Sequence, residues 1–138
     1  MGAATISEPV AENLGSASVR AGWMLGGLAI AFLAADSAGK LLVPEVMLAN
    51  SPPLGLPADP DFYRLLGSIL AVCTALYAWP RTSILGAVLL TGYFGGAIAS
   101  HLRIGSPLLT HTLFGVYLGL LVWAGLWLRD ARVRALVN

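Results

Sequence analysis

The stretch FLAADSAGKLLVP, residues 32–44, begins as membrane-like hydrocarbon and then places Asp36 and Lys40 four residues apart before the hydrophobicity resumes. The uncharged run leading into it, 21–35, is too short to cross a bilayer comfortably. A spanning helix needs about 20 mostly apolar residues, because roughly 30 Å of hydrocarbon is crossed at 1.5 Å per residue. A first span over about 21–43 therefore carries both charges within or at the edge of the bilayer. The two lie at i,i+4 with the acid first, the favoured order for a helical ion pair. Three readings are open: a snorkelling pair, an ion pair inside a bundle, or part of a ligand site.

The rest of the chain supports a membrane setting. Of 138 residues, 57% are hydrophobic and 11% charged, against about 25% charged in soluble domains. The net charge of +1 excludes the clustered basic surface that nucleic-acid binding requires. The single Cys73 excludes an internal disulfide, a CxxC redox pair and a Cys-rich metal site.

Three further spans follow, over about 63–79, 82–102 and 107–128, giving an all-α, polytopic membrane protein with four transmembrane helices in an antiparallel bundle. Prolines mark the breaks: Pro44, Pro52, Pro53, Pro57 and Pro60 share one connection, and Pro80–Arg81 makes a tight turn. Ser106–Pro107 reads as an N-cap followed by proline at the first helical position. Short connections make the last three helices antiparallel neighbours. Residues 1–20 read as a polar, mobile tail before a single domain, 21–138. The charges in the first span and the polar stretch before it argue for a retained helix rather than a cleaved signal.

With four spans, Arg20, Arg81, Arg129, Arg132 and Arg134 share one side, against Lys40, Arg64 and Arg103 on the other. The positive-inside rule then puts both termini in the cytoplasm. The same topology gathers Asp36, Lys40, Arg64, His101, Arg103 and His111 at one level in the outer half of the bundle. Ionisable groups inside a membrane usually face the bundle interior, where they pair or mark a functional path. These six residues, with Tyr93 on the same stripe as His101, are the expected ligand-binding set. His101 and Asp36 are the candidates for acid–base catalysis. No HxxxH or HExxH spacing occurs, and no metal site is expected.

Gly92–Gly96 and Gly115–Gly119 are GxxxG pairs that read as helix-packing strips. Trp23, Trp79, Trp123 and Trp127 fall near the inner helix ends and read as an interfacial aromatic belt. The proline-rich connection 44–62 would lie over the polar layer as a lid. Cys73, in mid-helix, reads as inert.

The segments LTGYFGGAIASHLRIGSPLLTH (90–111), FLAADSAGKLL and LWLRDARVRAL (126–136) resemble the DoxX-like membrane proteins over about 23–136. The resemblance implies a four-helix protein of the bacterial inner membrane. The family takes its name from a subunit associated with terminal oxidase and thiosulfate–quinone oxidoreductase activity, and relatives are linked to oxidative-stress complexes. His101 matches the family's third-helix histidine, and Asp36 and Lys40 match polar positions of its first helix. An accessory role in a membrane redox system follows, with a quinone- or lipid-like ligand and no covalently bound cofactor. Expected partners are the lipid bilayer, a membrane or redox protein complex, or a second copy of the chain. The alternatives are a stand-alone isomerase or hydrolase acting on a lipophilic substrate, and a purely structural subunit.

Overall fold

The computed structural model describes residues 4–50, 57 and 59–137, with side chains described for 15–49, 57 and 59–136. The described residues form six α-helices: α1 (Ala4–Leu42), α2 (Pro44–Asn50), α3 (Pro60–Ala78), α4 (Ser83–Arg103), α5 (Phe114–Arg129) and α6 (Ala131–Val137). A π-turn, Leu108–Thr112, precedes α5. Four segments are long and apolar enough to cross a membrane: Gly15–Leu42, Pro60–Ala78, Ser83–Arg103 and Leu108–Arg129.

The spans agree with the expected ones in number and order, and the differences lie at their ends. α1 is helical from Ala4, within the stretch expected as a tail. Four alanines and two glutamates in that stretch are good helix formers. α3 starts at Pro60 because Asp59 caps it: the Asp59 carboxylate accepts from the Asp61 N–H at 3.0 Å. Proline at the first helical position gives up an N–H that would be unbonded anyway. The start of the fourth span departs from the expected cap. Pro107 is extended at ψ 126°, and the turn behind it is wide. Thr112 N bonds the Pro107 carbonyl at 3.2 Å and Leu113 N bonds Leu108 at 2.9 Å. Ser106 makes no cap; its hydroxyl lies 3.0 Å from His101 Nδ1. Gly105 turns the chain between α4 and this segment at φ +68°, a left-handed conformation that glycine adopts without strain.

The four spans form a ring in chain order. α1 packs on α3 and α5, and α4 packs on the other side of the same two helices. Gly22 and Gly26, early in the first span, lie against Gly125 and Arg129 near the end of α5, as antiparallel neighbours do. Tyr77, late in α3, donates to the Val122 carbonyl of α5 at 2.7 Å and faces Gly26 of α1. The buried core runs along this axis through Ala29, Leu33, Leu70, Tyr77, Leu90, Val122 and Leu126.

Close crossings sit where side chains are missing. A Cβ on Gly22 would lie 2.7 Å from the Gly125 carbonyl oxygen, and one on Gly125 would lie 2.7 Å from Gly26 N. Small residues let backbones approach this way in lipid. Gly115 packs similarly on Phe94 and Ile98. The Gly92–Gly96 pair packs on no helix of this chain: among the described residues nothing lies within 4 Å of a Cβ at either position.

The tryptophans divide. Trp23 and Trp79 are exposed, as a belt requires. Trp123 and Trp127 pack against the core, and Trp123 Nε1 donates to Thr91 Oγ1 at 2.8 Å. Hydropathy fixes their depth but not which way they face.

Candidate functional site

α1 and α4 stand diagonally across the ring, and the gap between them widens toward the ends of these helices. Its cause lies in the sequence of α4. Gly92, Gly96, Ala97 and Ser100 put almost no volume on the face that lines the gap. A cavity of about 470 Å³ results.

Its walls are apolar and aromatic. Phe32 and Leu33 come from α1, Phe62, Tyr63 and Leu66 from α3, Tyr93 and Phe94 from α4, and Phe114 and Leu118 from α5. Phe32 and Phe114 meet edge to face at 5.3 Å and join α1 to α5 beside it. Such a pair contributes about 0.5–1.5 kcal/mol beyond its buried area.

Polar groups also line the cavity: Asp36 and Lys40 from α1, Ser100 and His101 from α4, and His111 from the π-turn. Lys40 Nζ and Asp36 Oδ2 form a direct ion pair at 2.5 Å. The lysine side chain is 14% exposed and the aspartate 28%, so both are largely withdrawn from solvent. Gly67 of α3 makes the pair's position tight: a Cβ there would lie 2.8 Å from Lys40 Cβ.

The histidine rings face one another at 5.9 Å between centroids. Each Nδ1 is held by a hydroxyl, His101 by Ser106 at 3.0 Å and His111 by Thr110 at 2.8 Å. That leaves Nε2 as the other ring nitrogen of each. π-Turns recur at functional sites because the extra residue re-aims a side chain; here the turn carries His111. No signal for it was read in the sequence, where Ser106–Pro107 resembled an ordinary helix start.

Of the seven expected ligand-binding residues, Asp36, Lys40, Tyr93, His101 and His111 share this cavity. Arg64 and Arg103 are not in its wall. Arg64 is exposed and pairs with Asp61 at 2.9 Å, and Arg103 is exposed at the end of α4. Both are on outward faces. Asp36, a candidate for catalysis, is engaged by Lys40, while His101 is engaged by Ser106. Sequence reasoning missed Gly92 and Gly96 as cavity-lining positions and assigned them to packing. Of the connection expected to form a lid, α2 packs against α1 and α3 and none of its described side chains lines the cavity, whereas Phe62 at the connection's end does. Residues 51–56 and 58 lie outside the described residues.

Four apolar spans, with a half-open cavity between them that carries charged groups, define an integral membrane protein whose environment is the lipid bilayer. The DoxX-like family model matches residues 24–125, and the chain belongs to that family. Neither the curated proteins nor the solved structures contain a match.

Proposed function

We propose that this DoxX-like protein binds a small amphipathic molecule, such as a quinone, in the cavity between α1 and α4, and serves as an accessory component of a membrane redox system. The observation that carries the reading is one cavity with aromatic walls and a polar cluster. Ligand pockets combine mostly apolar lining with a few placed polar groups. The aromatic walls take the ring or chain. The Lys40 ammonium and the histidine N–H groups donate to a carbonyl oxygen, and Asp36 accepts from a hydroxyl. Tyr93 lines the same cavity as Asp36 and bounds the ring from the α4 side. The redox assignment rests on the family resemblance alone.

The basic residues favour a cytoplasmic location for both termini, with the cavity in the outer half of a bacterial inner membrane.

The Asp36–Lys40 pair favours a second reading, in which the charges neutralise one another and only hold the bundle together. One experiment separates the two. Purified protein is titrated with a short-chain quinone and with a lipid analogue, alongside His101→Ala and Asp36→Ala. Weakened binding in variants that keep the wild-type melting temperature supports the pocket. Unchanged binding in folded variants removes it and leaves the structural reading.

A further inference from the structure

Arg129 ends α5 at the far end of the bundle from the polar cavity. α1 crosses beside it at Gly22 and Gly26, and a Cβ on Gly26 would lie 3.6 Å from the guanidinium carbon. That carbon sits 4.1 Å from the Trp23 ring centroid and 4.8 Å from that of Tyr77. Nη2 donates to the Tyr77 carbonyl at 3.2 Å. Nε and Nη1 are enclosed and make no well-formed hydrogen bond among the described residues; the Tyr77 hydroxyl, a side-chain oxygen close to the guanidinium, already donates to the Val122 carbonyl.

Aromatic faces attract the guanidinium charge, but they do not supply the oxygen acceptors that its five N–H groups require. A withdrawn polar group short of acceptors is costly, and an ion or ligand is one of its ordinary explanations. Asp130 is committed elsewhere. Its two carboxylate oxygens accept from Arg132 at 2.8–3.3 Å. Beside Arg129 opens a second cavity of about 250 Å³, whose lining includes Trp23, Pro80, Ser83, Asp130 and Arg132.

The depth of this cavity narrows the choice of anion. Arg129 is the last residue of the fourth span, and exposed Trp23 and Trp79 mark the same end. Tryptophans of this kind sit at headgroup level. Arg20, Arg81 and Arg134 belong to the same end and raise its positive potential, which draws anionic lipid.

We propose that the cavity at Arg129 is a headgroup site for an anionic phospholipid. The guanidinium of Arg129 donates to the phosphate oxygens, Arg132 holds the Asp130 carboxylate so that it does not repel the anion, and Trp23 covers the glycerol side. This site is separate from the cavity between α1 and α4 and does not depend on the function assigned to it.

The test uses the full chain in detergent with added phosphatidylglycerol, phosphatidylcholine or inorganic phosphate. Lipid retention is read by native mass spectrometry and protection by the melting temperature. Phosphatidylglycerol is expected to be retained and to raise the melting temperature more than phosphatidylcholine does, with inorganic phosphate giving no protection. Arg129→Gln should weaken phosphatidylglycerol retention about tenfold or more, as expected for losing hydrogen bonds to a charged group. Arg81→Gln, an exposed arginine at the same end, should leave it unchanged. Equal loss in Arg81→Gln would reveal diffuse attraction and overturn the proposal. Protection by inorganic phosphate equal to that by phosphatidylglycerol would overturn the lipid assignment. If Arg129→Gln does not fold, the wild-type preference and Arg132→Gln decide. No preference for phosphatidylglycerol in the wild type, or full retention in folded Arg132→Gln, refutes the site.

Discussion

Two glycines in one helix, Gly86 and Gly96 of α4, should respond in opposite directions to alanine. At Gly86 a methyl group would lie 2.5 Å from the Tyr77 Cα and 2.7 Å from the Leu76 carbonyl carbon. Ordinary carbon contacts are about 3.5–4.0 Å, so α3 and α4 must part by roughly 1 Å at their tightest point. The atoms in the way are backbone and cannot rotate aside. The Thr82 hydroxyl, bonded to the Leu76 carbonyl at 2.7 Å, ties the same turn together. Overpacking of this kind costs about 1–3 kcal/mol. Alanine's better helix propensity returns at most about 1 kcal/mol. Gly86→Ala should therefore be destabilised by up to roughly 2 kcal/mol, the difference between those terms. At Gly96 nothing lies within 4 Å, so only the propensity gain remains, about 0.5–1 kcal/mol of added stability. Reversible unfolding in mixed micelles, followed by circular dichroism, measures both. A loss in Gly96→Ala matching that in Gly86→Ala would mean that Gly96 packs against a helix, and the cavity wall would have to be redrawn.

Removing one member of the ion pair should hurt more than removing both. Lys40→Met leaves the Asp36 carboxylate unpaired and should cost about 3–5 kcal/mol if it stays withdrawn from water, whereas Asp36→Leu/Lys40→Met should recover most of that in the same unfolding assay. Tyr77→Phe breaks the 2.7 Å bond that ties α3 to α5 and should lower stability by about 0.5–1.5 kcal/mol with binding at the far cavity unchanged. Asp130, beyond the last span, has its carboxyl held below the ordinary 3.8, chiefly by hydrogen bonding from Arg132. A lowered folded-state value contributes stability that is fully present above the unfolded pKa and is lost as pH falls through the folded one. An acid melt should therefore show a titration below the ordinary 3.8 that Asp130→Asn lacks.

Number and order of the spans were legible because hydropathy and proline report where the chain can cross a membrane and where it turns. Rotation about each helix axis was not, and it decides which polar groups reach the cavity. Tyr63 is buried at 7% exposure, and Arg64, the next residue, points about 100° round the helix into the exposed region. Gly22 and Gly26 have the same spacing as Gly92 and Gly96, yet the first pair packs and the second is open. The partner that distinguishes them, Gly125, is remote in sequence. The helix α6 is too short and charged to register as a span. Its first arginine, Arg132, anchors it by donating to the Pro80 carbonyl at 2.6 Å.

The central claim is that the cavity between α1 and α4 holds a molecule. It is tested most directly by an experimental map of the protein extracted with its native lipids. Non-protein density is expected within the cavity of about 470 Å³, with a polar end in hydrogen-bond reach of Lys40, His101 or His111. A cavity closed by repacked Tyr93 and Phe114, or filled only by an acyl chain that leaves those three residues untouched, would contradict it.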